Sequence, residues 1–283
     1  MNILVTGAGG QLGSEVKAIA NDKHQYFFET SATLDITSKQ KVLSFVSSNK
    51  IDIIINCAAY TAVDKAENEE QLAFNVNEKA VENLVVACEN FQAKLIHIST
   101  DYVFDGSQNT PYKESDEVKP LGVYGQSKRK GEEVVLNSTI DALIIRTSWV
   151  YSFFGNNFVK TMMRLGQERE NLGVIFDQVG TPTYAKDLAE FCMYLINQDF
   201  SKVGSIYHFS NEGVISWYDF AKAIMEIAHI DCDIKPIETY QYPTPAKRPQ
   251  YSVLNKSKLK EDFNYKIPYW KDSLKECIQL LKK

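Results

Sequence analysis

Short apolar runs separated by stretches of helical period fill the first half of the chain. Asn2–Thr6 (NILVT), Gln25–Glu29 (QYFFE), Asp52–Asn56 (DIIIN), Lys94–Ser99 (KLIHIS) and Ala142–Arg146 (ALIIR) read as buried strands. Between them, Gln11–Ala20, Ser38–Ser48, Glu67–Glu89 and Tyr124–Leu136 carry helical spacing. In the longest of these, Leu72, Val76, Ala80, Leu84 and Ala87 fall on one side. Alternating strands and helices predict a parallel sheet covered on both faces. Right-handed crossovers then make a doubly wound, Rossmann-like α/β fold the expectation.

Near residue 150 the texture changes. Asn157–Glu168, Tyr184–Ile196, Ser216–Ala228 and Trp270–Leu281 are predicted helices, with Ser216 as an N-cap. Ser205–Phe209 is a predicted strand, and the proline-rich stretch Thr239–Pro249 a loop. The expected organisation is a larger domain over 1–150, with segments around 180–210 returning to it. A smaller, partly interleaved region over 151–283 completes the chain.

Composition narrows the classes. A net charge of −5 and a pI near 5.5 exclude the basic footprint of a nucleic-acid binder. No apolar run is long enough for a membrane span, and the N-terminus lacks a signal-peptide layout, so a cytoplasmic protein is expected. Cys57, Cys88, Cys192, Cys232 and Cys277 are odd in number and contain no C-x-x-C, the usage of reduced thiols. His24, His97, His208 and His229 show no ligand spacing, and no metal site is expected.

Candidate chemistry starts at Gly7-Ala-Gly-Gly10-Gln-Leu-Gly13, between the first strand and the first helix. Gly7 and Gly10 allow backbone angles closed to other residues, Gly13 allows close helix–sheet packing, and the helix N-terminus offers free N–H groups to a pyrophosphate. This makes 1–150 the expected NAD(P)-binding domain and 151–283 mainly a substrate-binding region. A carboxylate about 18 to 20 residues beyond the turn would hold a ribose and repel a 2′-phosphate. Ser31 and Ala32 stand there instead. NADPH is therefore the expected cofactor, with NADH also open. Asp35 is placed either to meet an adenine edge or to cap a turn.

Further strand ends add polar groups. Asn56-Cys-Ala58-Ala59-Tyr60 follows DIIIN, and Ser99-Thr100-Asp101-Tyr102 follows KLIHIS. Two Tyr-x-x-x-Lys pairs, Tyr124–Lys128 and Tyr218–Lys222, sit on predicted helices, about the number chance supplies. Residues four apart share a helix face, and a neighbouring ammonium lowers a phenol pKa. Only the first pair follows a strand-end hydroxyl and a phosphate-binding turn. Thr100, Tyr124 and Lys128 are thus the expected catalytic set for reducing a carbonyl. Thr100 would hydrogen-bond the carbonyl, Tyr124 would supply the proton, and Lys128 would tune Tyr124 and hold the nicotinamide ribose.

Together with STDYVFDG, NCAAYTAVDKAE, VYGQSK, RTSWVY, GTPTYAKDLA and PAKRPQYSVLN, these residues resemble the extended short-chain dehydrogenase/reductase superfamily. Within it they are most similar to the dTDP-4-dehydrorhamnose reductase family, over nearly the whole chain. The resemblance implies a catalytic Thr100, Tyr124 and Lys128. It implies a cofactor site lined by Gln11, Leu12, Asp35, Ile36, Ala58, Ala59 and Tyr60, and sugar-nucleotide contacts from Thr100, Asp101 and Trp149. The implied reaction reduces the C4 ketone of dTDP-4-dehydro-6-deoxy-L-mannose to dTDP-L-rhamnose, for surface polysaccharide. Trp149 can close over a hexose ring and Arg248 can pair with a diphosphate; a core tryptophan and a surface arginine are the plain alternatives. Some relatives dimerise through a metal bridged by glutamates, but Glu15 and Glu190 read as solvated helix residues, leaving a monomer or homodimer. A different sugar-nucleotide epimerase or dehydratase, or a non-catalytic subunit of the same fold, is the alternative reading.

Overall fold

A computed structural model describes residues 1–200 and 206–283. Six parallel strands form one sheet in the order Ile206–His208, Ala142–Thr147, Lys94–Thr100, Ile53–Asn56, Asn2–Thr6, Gln25–Glu29. Chain order reverses at Asn2–Thr6, which pairs with Gln25–Glu29 on one side and Ile53–Asn56 on the other. The alternation expected of strands divides their side chains between the two layers of the sheet's core. Ile3, Val5, Ile53, Ile55 and Ile96 face one core with Leu12, Val16 and Leu188 from the helices Gln11–Ile19 and Ala185–Leu195. Leu4, Ile54, Leu95 and Ile144 face the other with Val42, Val46 and Leu84 from Lys39–Ser48 and Ala80–Phe91. The sheet is mostly buried on both faces, as the runs of consecutive apolar residues require.

A second core lies beside the sheet. The helices Phe158–Glu168, Trp217–Ala228 and Trp270–Leu281 contribute Val159, Ile224 and Leu274 to it. They pack with a parallel pair of strands, Asn171–Ile175 and Asp233–Ile237, that the sequence does not announce. Gly173 interrupts one strand and Pro236 the other, and proline is tolerated because a two-stranded sheet has only edges. Ser216 caps its helix through a capping box: its Oγ accepts from Asp219 N at 3.1 Å, and Asp219 Oδ2 accepts from Ser216 N at 2.9 Å. The Thr239–Pro249 stretch contains one 3₁₀ turn, Thr239–Gln241. Ser205, the expected start of the last sheet strand, lies outside the described residues.

Glu67–Glu89 is not one helix. It divides into Glu70–Phe74, a π turn at Asn75–Lys79 and Ala80–Phe91. A π turn inserts an extra residue and rotates the side chains before it. Leu72 is consequently exposed, Val76 is half-buried, and Ala73 and Asn77 face inward instead. No helix among the described residues is long and apolar enough to cross a membrane.

Candidate active site

Ligands of open α/β sheets bind at strand carboxyl ends beside the point where strand order reverses. Here that point lies between Thr6 and Asn56, whose side chains meet at 2.6 Å, Thr6 Oγ1 donating to Asn56 Oδ1. Gly7 follows with φ +66°, and a β-carbon there would sit 2.6 Å from Ala58 N. At Gly13 it would sit 2.4 Å from the Gly7 carbonyl oxygen, so the helix packs against the turn at backbone distance. Gly10 occupies the N-cap of Gln11–Ile19 and no side chain caps that end, which keeps its first N–H groups available to an anion.

Over these ends opens a cavity of about 540 Å³. Gly10, Gln11, Leu12 and Ala59 line one part of it, Thr100, Asp101, Tyr124 and Lys128 another, and Trp149 a third. Residues separated by more than a hundred positions are thereby brought together. Thr100 ends its strand and also caps the following turn: its Oγ1 accepts from Tyr102 N at 3.2 Å and donates to Asp101 Oδ1 at 3.1 Å. Tyr124 and Lys128 lie one turn apart on the helix Val123–Leu136.

The electrostatics differ from expectation in one respect. Lys128 does not lower the Tyr124 pKa. Burial pushes the phenol up to about 12, against a hydrogen bond with Thr100 that pulls it down. Lys128 Nζ donates instead to the Ile98 carbonyl at 2.6 Å. Burial draws the lysine down to about 8, with the Glu132 carboxylate pulling it back up. A phenol held this high stays protonated at neutral pH, the form a proton donor needs. Asp101 is 2% exposed, and burial raises its carboxyl to about 6.

The family model described as RmlD substrate binding domain matches residues 1–283. A dTDP-4-dehydrorhamnose reductase of Aggregatibacter actinomycetemcomitans is 42% identical over 96% of this chain and 97% of that protein. The chain belongs to the dTDP-4-dehydrorhamnose reductase family. A solved dTDP-4-dehydrorhamnose reductase of Clostridium acetobutylicum superimposes with a TM-score of 0.96 at 43% identity, covering 100% of both chains. Another, from Bacillus anthracis in complex with NADP, gives a TM-score of 0.94 at 39% identity over 98% of each chain.

Several expected residues of this dTDP-4-dehydrorhamnose reductase family member stand apart from the cavity lining. Ala58 lies beneath the glycine turn, at Gly7. Asp35 Oδ1 accepts from Thr37 N at 3.0 Å and Thr37 Oγ1 at 2.6 Å, the turn-capping alternative. Ile36 is buried in the core, and its carbonyl accepts from Asn83 Nδ2 at 3.0 Å. Tyr60 gives its hydroxyl to Glu69 Oε2 at 2.6 Å. Arg248 is engaged by a carboxylate: Nη2 meets Asp64 Oδ2 at 2.7 Å and Nη1 meets Oδ1 at 3.1 Å. It lines a neighbouring cavity of about 780 Å³. Tyr218 packs on the second core while Lys222 is exposed, and neither lines the Thr100 cavity. Glu15 is not solvated; it is buried and accepts from Ser152 Oγ at 2.6 Å.

Sequence reasoning also missed residues. Gly155, Asn156 and Asn157 return over the glycine turn, where Asn157 Nδ2 donates to Gln11 Oε1 at 3.0 Å. Buried Asn77 accepts from Tyr60 N at 2.9 Å and donates to Tyr60 O at 3.1 Å and Ser127 Oγ at 3.0 Å. It ties the loop after Ile53–Asn56 to the helix bearing Tyr124. Glu132, one turn beyond Lys128, is fully buried and accepts from Ser99, Arg129 and Arg146. The i, i+4, i+8 spacing of Tyr124, Lys128 and Glu132 was the available signal.

Proposed function

We propose that this chain reduces the C4 ketone of dTDP-4-dehydro-6-deoxy-L-mannose to dTDP-L-rhamnose with NADPH, in the cytoplasm, as a step towards surface polysaccharide. The supporting observation is the single cavity that joins the glycine turn to Thr100, Tyr124 and Lys128. The family's reductases and the NADP complex of the Bacillus anthracis relative favour the same reaction and cofactor.

The residues present fit a dinucleotide. The uncapped helix start at Gly10 suits the pyrophosphate; the second strand ends on the half-buried Glu29, with Ser31 and Ala32 beyond it. Gln11, Leu12 and Ala59 would line the cofactor, and Lys128 would hold the nicotinamide ribose. When bound, NADPH supplies the hydride. Thr100 would orient the ketone by turning its hydroxyl proton from Asp101 Oδ1 to the ketone oxygen. Tyr124 delivers its phenolic proton to the alkoxide that develops there. A phenol at about 12 remains a stronger acid than an alcohol, near ~15.7 for water itself, so the transfer runs downhill. The hydroxyl of Thr100, which pulls the Tyr124 pKa down against burial, favours the phenolate left behind. Asp101 and Trp149 would seat the sugar.

Residues 1–150, with the later segment around 180–210, are the cofactor-binding part in this reading. The remainder of 151–283 binds the nucleotide sugar. Arg248, clamped by Asp64, would approach the diphosphate only by exchanging that partner. Oxidation of NADPH by purified protein, dependent on dTDP-4-dehydrorhamnose, tests the proposal; NADPH binding without turnover of that ketone would sink it.

A further inference from the structure

Trp149 carries a backbone strain that its neighbours must hold. Its φ is +49°, in the left-handed region that bulky side chains avoid. Such a conformation persists only where the surroundings over-determine it. Here the indole of Trp149 stacks on Trp217, with ring centres 3.7 Å apart and planes 13° from parallel. Trp217 opens the capped helix Trp217–Ala228, and Phe158 packs on it at 4.7 Å. A β-carbon at Gly180 would come within 2.8 Å of Trp149 Cε2 and Cζ2. The indole is thus held by the stack on a rigid helix start, beside a glycine that gives it room. Trp149 lines the cavity with Thr100 and Tyr124, whereas Trp217 lines the adjacent cavity with Arg248.

We propose that Trp217 is a positioning residue for the ketone site: by stacking on Trp149 it holds that indole against the catalytic cavity, and so sets how firmly the sugar ring is seated. This rests on the reductase reading. The chemistry is apolar contact between an indole face and a deoxyhexose ring, which weakens when the indole is free to turn. Gly180 supplies a separate handle that lines neither cavity: a β-carbon there meets Trp149 at 2.8 Å and Ser252 Oγ at 2.9 Å.

The test uses Trp217→Ala, Trp217→Phe and Gly180→Ala in the full chain. The exciton couplet of the stacked indoles is followed by circular dichroism, with KM measured separately for dTDP-4-dehydrorhamnose and NADPH. Trp217→Ala should abolish the couplet and raise KM for the sugar nucleotide about 5-fold, the scale of a lost aromatic pair. KM for NADPH should stay at the wild-type value. Trp217→Phe should restore most of the loss. Gly180→Ala should raise the same constant by displacing the indole, and should add less in the Trp217→Ala background than alone, because the part that acts through Trp149 is shared while the part that acts on Ser252 Oγ is not. A lost couplet with unchanged sugar-nucleotide KM overturns the inference, as does a rise shared equally with NADPH. If Trp217→Ala fails to fold, near-wild-type KM in Trp217→Phe beside a raised KM in Gly180→Ala supports it, and no rise in Gly180→Ala overturns it. Absence of wild-type turnover sinks the reductase reading; normal turnover with unresponsive variants sinks only this inference.

Discussion

Lys128 donates its ammonium to the Ile98 carbonyl at 2.6 Å and not to the Tyr124 phenol four residues before it. The neighbouring strand residues continue the pattern. Ser99 Oγ donates to Glu132 Oε1 at 2.6 Å, and the Thr100 hydroxyl is close enough to Tyr124 to pull the phenol pKa down. Three consecutive residues at the end of one strand therefore meet three residues spaced a turn apart on one helix. The strand end fixes the catalytic side chains, and the charge on Lys128 depends on Glu132 behind it.

Glu132→Gln should shift the alkaline limb of the pH–rate profile to lower pH. The Glu132 carboxylate raises the Lys128 pKa against burial, so its loss lets the lysine deprotonate earlier. The same change strands the buried Arg146 guanidinium and should cost about 3 to 5 kcal/mol of stability. Glu132→Gln/Arg146→Met removes the pair together and should recover much of that stability while keeping the pH shift. An unmoved alkaline limb in the double variant would separate Glu132 from Lys128.

Asp101→Asn should trade activity for stability. Burial raises the Asp101 carboxyl from its ordinary 3.8 to about 6 in the fold. Its favourable contribution is therefore complete below pH 3.8 and lost as pH rises through about 6. At pH 7.5 the variant should be more stable by about 3 kcal/mol, with little gain near pH 4. Thermal melting at the two pH values checks this; equal gains at both would show that ionisation is not the cause.

Asn77→Ala should loosen the cofactor loop. It removes three hydrogen bonds from one buried amide, two to the Tyr60 backbone and one to Ser127. Stability should fall by about 2 to 3 kcal/mol, and KM for NADPH should rise more than KM for the sugar nucleotide. Equal changes in the two constants would argue against a specific hold on that loop.

The main sheet was legible because each central strand is a short apolar run followed by a helix-period stretch. Ile54 and Ile55 face opposite cores, so consecutive apolar residues meant burial on both sides. Tyr124 and Lys128 were legible because spacing and the upstream Thr100 agreed. The π turn was not, since Leu72 and Val76 keep a helical period even though the chain rotates them away from the core. Pairings such as Asp64 with Arg248, 184 residues apart, follow from tertiary folding that no local pattern encodes. The Tyr124 pKa departs from expectation for the same reason: burial outweighs the charge of a near neighbour.

Tyr124→Phe should lower kcat by about 10²-fold or more while NADPH binding stays intact, the scale of a lost general acid. Tyr218→Phe, on the other Tyr-x-x-x-Lys pair, should turn over like the wild type. Binding by NADPH fluorescence and turnover by absorbance separate the two effects. Near-normal turnover in Tyr124→Phe would remove this phenol from the chemistry.

The most direct test is steady-state oxidation of NADPH by the purified protein with dTDP-4-dehydrorhamnose, with product identified by mass and by sugar analysis. The account predicts stoichiometric NADPH loss and dTDP-L-rhamnose formation that require Thr100, Tyr124 and Lys128. Tight NADPH binding with no loss of NADPH on adding the ketone would contradict it.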